Sequence, residues 1–492
     1  EYSRLFISCE ENKTKLSGEL FEVILDELKI KSSDICHIGD NPRTDIESPK
    51  KHGIQAFKRI IQQNNIEMYY SKRNTIDTDI LNTFTQNHLE PIADEREKIQ
   101  ARIGYSILGP LIFSFCSWIK DVYHEEQADK IAFVAREGYL IKLAYDVIYA
   151  IEEANTEYVR LNKNVIRWPS LCKNPTVEQF EESIPYRKMY SGEELARLLS
   201  ISPQFVGQLL QEHGFCTKNI QKSDFKTVEF KAAFDKILEH EKVEMHEQYV
   251  LLIRYLKQIG AIDKRTLLVN NSVNGSAQRS IRSLIDNNIV GIQFAASSKC
   301  LGELGSSVRV WLEEIESTNY EKQMFVQYSI VLEHLMFEMA GTAQYLYEES
   351  DTIKVKCDSV GAEEKNMEIV RPIQKYALQF VKDWQKYGEP NIIETGAGFH
   401  RYMEFLLNPK KEDALLIGSI IDSDYDGAHK LFDVKENERL TYSEAKKYEK
   451  VKWQHGYYMT QENGIQQKEI FDMEKRIKCA AKNIGGNGGN SR

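Results

Sequence analysis

Three continuous apolar runs, KIAFVA at 130–135, RTLLVNN at 265–271 and GIQFAAS at 291–297, are too short for core helices. They predict strands at the intervals of an α/β sheet. The first two lead through a tight polar loop into a helical pattern, REGYLIKLAYDVI and SVNGSAQRSIRSLI. Strand, loop and helix in that order is the repeating unit of a doubly wound fold, whose sites lie at those loops. Nearer the start, LFISC predicts a strand and LSGELFEVILDEL an amphipathic helix with Leu20, Phe21, Ile24 and Leu28 on one face. A second apolar run, Ile35 to Ile38, predicts a buried parallel strand that ends at Gly39.

The run YSILGPLIFSFCSWI at 105–119 falls short of the roughly 18 apolar residues expected of a membrane-spanning helix. With Pro110 at its first turn it predicts a buried helix entering a second domain. MFVQYSIVLEHLMFEMAGTAQYLY at 324–347 reads as one long helical apolar segment in which Glu333, His334 and Glu338 stand out. They form either a ligand cluster or a helix face on water or a polar pocket.

Residues 61–100 are polar and read as a linker between a domain at 1–60 and a larger one at 101–405, followed by an accessory region at 406–480 and a low-complexity, flexible tail at 481–492. A hydrophobic content of 42% over 492 residues is enough for sizeable cores. The formal charge of −10 argues against nucleic acid as a partner. Eight scattered cysteines without a paired motif indicate neither a zinc site nor a disulfide framework, which fits a reducing cytoplasmic compartment.

Candidate chemistry begins at GDNPRTD, where Asp40 and Asp45 follow the strand end. Two hard oxygen ligands suit Mg2+; an Asp-rich corner around Pro42 gives the same pattern. With Ser8 at the end of the first predicted strand and Lys15 opening the following helix, this segment resembles the phosphatases of the haloacid dehalogenase superfamily. The resemblance implies that Ser8 hydrogen-bonds the phosphoryl oxygens, Lys15 neutralises their charge, and Asp40 and Asp45 hold the magnesium. The family's aspartyl nucleophile lies in a DxDx(T/V) loop upstream of these motifs. It is absent here, so the chain reads as truncated by on the order of 100 residues of its first domain.

The second constellation lies at two strand ends. Asn270 and Asn271 precede a loop with Gly275, Ser276 and Gln278 that opens a helix, either an anion cradle or an ordinary strand-to-helix turn. Arg136 and Glu137 follow another strand, where a guanidinium can take phosphate oxygens or form a structural ion pair. With GYSILGPLIFSF, FVAREGYLIKLAYD, RLNKNVIRWPSL and NGSAQ in this order, the chain resembles the two-module ribofuranosyltransferases of bacterial surface-polysaccharide gene clusters. That resemblance implies an α/β fold, with a truncated Rossmann-like haloacid dehalogenase domain followed by a larger, helix-rich α/β domain with a mainly parallel sheet. It also implies transfer of ribose 5-phosphate from phosphoribosyl pyrophosphate to a glycan acceptor by a phosphoribosyltransferase-like module, and peripheral association with polysaccharide assembly machinery.

By position, Gly275, Ser276 and Gln278 would hold the 5-phosphate, Arg136 and Glu137 would lie near the pyrophosphate or magnesium, and Glu137 is a candidate base for the acceptor. Asn270 and Asn271 depart from the acidic residue that would hold the ribose hydroxyls, because Asn brings hydrogen bonds without charge. Two alternatives stay open. One is a phosphosugar phosphatase whose second domain serves recognition. The other is a degenerate, non-catalytic phosphosugar-binding or scaffold protein.

Overall fold

The computed structural model describes residues 4–58, 76–149, 155–184, 187–271, 273–285, 288–387, 396–424, 427–433 and 451–486. They belong to two compact units, Glu1–Glu67 and Met68–Arg492.

In the first unit, β1 (Cys36–Gly39) and β2 (Gln55–Lys58) pair in parallel. The helix Glu19–Leu28 buries Leu20 and Phe21, and the Phe21 ring meets His37 edge-on at 5.1 Å. Two expectations change here. β1 is covered on one face only, leaving Ile38 62% exposed, and Leu28 also lies open. LFISC forms no strand; Ser8–Glu11 is a single helical turn. An extended segment counts as a strand only when a neighbour takes its backbone groups, and β1 pairs with β2 alone.

The second unit is built on a five-stranded sheet, described by β3 (Lys130–Val134), β4 (Asn155–Val159), β7 (Thr266–Val269), β8 (Ile289–Gln293) and β9 (Val308–Val310). The order is β4-β3-β7-β8-β9, and all four pairings are parallel. The strand-like runs at 130–135, 265–271 and 291–297 foretold β3, β7 and β8, which are buried along their whole length. Because strand side chains alternate, Ile131, Phe133, Leu267 and Val269 enter one core while Ala132, Val134 and Leu268 enter the core on the opposite face. The chain leaves β3 toward β4 on one side and returns to β7 on the other. That reversal creates the crevice where doubly wound sheets bind ligands.

Between β4 and β7 a helical insertion with its own core around Phe180, Phe225, Phe230 and Phe234 carries the short antiparallel pair β5 (Met189–Tyr190) and β6 (Ile220–Gln221). Two antiparallel hairpins follow the main sheet: β10 (Ala343–Glu349) with β11 (Thr352–Cys357), and β12 (Ile421–Asp424) with β13 (Gly427–Lys430).

Several boundaries differ from those expected. Of the stretch read as a linker, 61–75 lies outside the described residues and the rest carries the helices Ile76–Leu89 and Glu95–Ala101. The latter continues as one helix to Glu125, so Pro110 sits inside a helix instead of starting one. The backbone widens to a π-type turn over Arg102–Leu108, just before Pro110, where it absorbs the missing amide donor. By length and composition this helix could cross a membrane, but its apolar window is 89% buried within the unit.

The segment 324–347 is broken into the helices Asn319–Gln327 and Ser329–Met336 and then β10. Phe432, Trp453, Tyr457 and Phe471, from the region read as accessory, share one core with Phe115, Phe133 and Trp384. The helix Gly464–Gly486 enters the expected tail, whose remainder, 487–492, lies outside the described residues.

Candidate functional site

In the first unit the turn after β1 is set by Asn41, whose side chain accepts from the Arg43 and Thr44 amides ahead of Pro42. This tucks Asp45 back under Gly39, where any Cβ would meet the Asp45 side chain at 2.4 Å. Lys15 Nζ donates to Asp45 Oδ1 at 2.6 Å, His37 Nε2 lies 3.0 Å from the same oxygen, and the Asn41 amide donates to Oδ2 at 3.1 Å. Burial pushes the Asp45 carboxyl up, but the Lys15, His37 and Asn41 hydrogen bonds outweigh it and hold the group at about 2.

Lys15 and Asp45 thus meet. Ser8 and Asp40 are exposed, and among the described residues neither side chain bonds to Lys15 or Asp45. As arranged, the pair does not fit a magnesium ion, because both Asp45 oxygens are already engaged and an ammonium occupies one of them. Among the described residues no three His, Cys, Asp or Glu side chains are grouped to hold a metal.

The polar side chains flanking the loop after β7 are withdrawn from solvent. Asn270, Asn271, Ser276 and Gln278 are all buried, and Gln278 Nε2 donates to the Ser307 carbonyl at 2.5 Å. Gly275 has φ +59°, and a Cβ there would lie 2.7 Å from Cys300 Sγ and 2.9 Å from Leu304 Cδ1. The glycine answers a left-handed turn and a tight internal contact, and its α-carbon faces protein.

The open site lies at the carboxyl ends of β3 and β4. A crevice of about 410 Å³ is walled by Arg136 and Glu137 after β3, Arg160 and Asn162 after β4, and Glu333 and Phe337 around the end of the helix Ser329–Met336. Asp358 and Glu363 after β11 and Asp422 on β12 complete it. Arg136 donates to Glu363 Oε2 at 2.9 Å and Thr342 Oγ1 at 3.3 Å, and its guanidinium lies 4.3 Å over the Phe337 ring. Glu363 Oε1 accepts from the Ser423 amide at 3.2 Å, tying β12 to Arg136. Arg160 donates to Glu338 Oε1 at 2.9 Å, whose other oxygen takes the Tyr158 hydroxyl at 2.9 Å.

Asp422 lies 3.1 Å from His334 Nε2 and is also bonded by Lys452. Burial pushes its carboxyl up; these partners prevail and hold it at about 2. Glu137 is raised by burial, with only partial relief from backbone amides and Arg136. Glu333 is pushed up to about 7, first by burial and then by the Glu137 and Asp422 charges.

Of the sequence-stated residues, then, Arg136 and Glu137 line the crevice, and Glu333 belongs to it as the polar-pocket alternative foresaw. Arg160, Asp358, Glu363 and Asp422 were missed. Arg160 alone had a local signal, since it stands just past a strand and two residues before Asn162, the cap of the helix Lys163–Lys173. No protein-family model matches the chain, and no curated protein matches it either.

Proposed function

We propose that the second unit transfers a sugar group from a phosphorylated donor to a hydroxyl acceptor in the crevice at the ends of β3 and β4, ribosyl transfer from phosphoribosyl pyrophosphate to a glycan being the case to test. The observation that carries this reading is the convergence of Arg136, Arg160 and Glu137 on one open cleft at the carboxyl edge of the sheet. A guanidinium has five donors. The Arg136 and Arg160 side chains spend only some of theirs on protein partners, leaving N–H groups for phosphate oxygens of a leaving group. The carboxylates of the opposite wall can take sugar hydroxyls and favour positive charge developing on the sugar carbon. In this reading the phosphate contact falls to the two arginines instead of Ser276 and Gln278, whose side chains are buried.

The test is calorimetry on the whole chain with phosphoribosyl pyrophosphate and ribose 5-phosphate. Binding should weaken about tenfold, about 1.4 kcal/mol, in Arg136→Gln. Absence of binding by both ligands at millimolar concentration would overturn the reading.

A second reading, phosphate handling by the first unit, is supported by one observation. Lys15 is held beside Asp45, leaving a half-exposed ammonium at the end of β1. Loss of inorganic phosphate binding in Lys15→Met would favour it.

A further inference from the structure

Five carboxylates line the crevice and a sixth, Glu338, lies behind Arg160; four of the six are engaged by other side chains. Glu363 holds Arg136, Glu338 holds Arg160, Asp422 holds Lys452 and His334, and Asp358 accepts from Gln344 at 2.6 Å. Glu137 and Glu333 differ: backbone amides bond the first and the Ser329 hydroxyl the second. Among the described residues neither has a Lys, Arg or His within ion-pairing range. They come from separate elements, the loop after β3 and the helix Ser329–Met336, and line the same cleft.

We propose that Glu333 is the second working carboxylate of the crevice and shares one proton with Glu137. This rests on the sugar-transfer reading given above. Two carboxyls without countercharge in a partly dry cleft cannot both ionise cheaply, so one stays protonated while the other is an anion.

The charges facing Glu333 favour that state, against the Ser329 hydroxyl, which donates to it and favours the anion. Glu137 and Asp422 act on it as negative charges, and the Glu333 charge is felt by the buried Tyr402 hydroxyl on the helix Ala397–Leu407, which has no hydrogen-bond partner among the described residues. Arg136 is the cation whose charge acts on Glu137, and it is already answered by Glu363. Lys452 and His334 are spent on Asp422.

In transfer, the acceptor hydroxyl's proton passes to the ionised member as its oxygen bonds to the sugar carbon. The bond from that carbon to the leaving phosphate oxygen breaks, and the oxygen takes the proton of the other member. The pair ends with one proton, as it began, so no further acid or base is required.

Infrared pH-difference spectra of the whole chain test this without any substrate. The wild-type protein should show a carboxylic acid C=O band that disappears near neutral pH, and Glu333→Gln should lack it. In Glu137→Gln the band should vanish at least one pH unit lower, because the like charge is gone. Glu333→Asp, which keeps a carboxyl, covers the case in which the Gln variant does not fold, and should retain a band with a displaced midpoint. A wild-type protein without the band, a band that survives Glu333→Gln, or an unmoved midpoint in Glu137→Gln would overturn the shared proton. Calorimetry with phosphoribosyl pyrophosphate reports separately. Absent binding with the band present sinks the transfer reading alone, and binding without the band sinks the pair alone.

Discussion

Lys15 Nζ and Asp45 Oδ1 stand 2.6 Å apart, joining the segment before a helix to the turn after a strand 30 positions later. The contact fixes a pH dependence. The Asp45 carboxyl sits at about 2 when folded, against an ordinary value of 3.8. A depressed folded value means that its contribution is complete above about pH 4 and is lost as pH falls toward 2. Solvent around half-exposed Lys15 weakens the pair, so Lys15→Met should cost the first unit on the order of 1 kcal/mol at pH 7. The deficit should shrink to nothing near pH 2. All five tryptophans lie in the second unit, so amide hydrogen exchange along β1 is the measurement. Equal protection in the two proteins at pH 7 would refute the pair.

Gly275 should matter without any ligand. Its φ of +59° and the Cys300 sulfur 2.7 Å from a would-be Cβ leave no room for a side chain. Gly275→Val should therefore destabilise the second unit by about 2–3 kcal/mol. Urea unfolding followed by tryptophan fluorescence, with no phosphate present, measures it. An unchanged midpoint would mean that the loop is open and would restore the anion cradle.

The contrast between Gly275 and Arg136 shows how far the sequence carries. A glycine at a strand-to-helix turn has the same local signature whether a phosphate or a neighbouring helix takes the space beside it, and only tertiary packing separates the two. β3, β7 and β8 were legible because strands buried on both faces are mainly apolar, with Lys130, Thr266 and Gln293 only at their ends. Arg136 and Glu137 were legible because a strand end followed by a helix locates the sheet's functional edge. Glu363 was not, since it meets Arg136 across 227 positions from a short helical segment without strand or loop pattern. Asp422 likewise reaches the cleft from a two-stranded hairpin outside the main sheet. LFISC failed for the opposite reason, having strand composition but no partner strand.

Glu363 should oppose ligand binding while supporting the fold. It is 7% exposed and answers Arg136, so Glu363→Gln should cost about 1–3 kcal/mol in urea unfolding. The same change frees the Arg136 charge for phosphate, so affinity for phosphoribosyl pyrophosphate should rise several-fold in calorimetry. Stability and affinity falling together would make Glu363 a prop that positions Arg136 and would remove its role as a competitor.

Asp422 anchors the last wall of the crevice. His334 and Lys452 hold its carboxyl at about 2, against 3.8 ordinarily. By the same sign rule its contribution, about 2 kcal/mol, is present above about pH 4 and lost on descent toward pH 2. Asp422→Asn can still accept one hydrogen bond but leaves Lys452 without that charge, so urea unfolding should separate the two proteins at pH 7 and bring them together near pH 2. Because Ser423, the next residue, ties β12 to Glu363 and through it to Arg136, the variant should also bind phosphoribosyl pyrophosphate several-fold more weakly at pH 7. Parallel unfolding curves across the whole range would show that Asp422 is not held by its two partners, and a stability loss without weaker binding would uncouple β12 from the cleft.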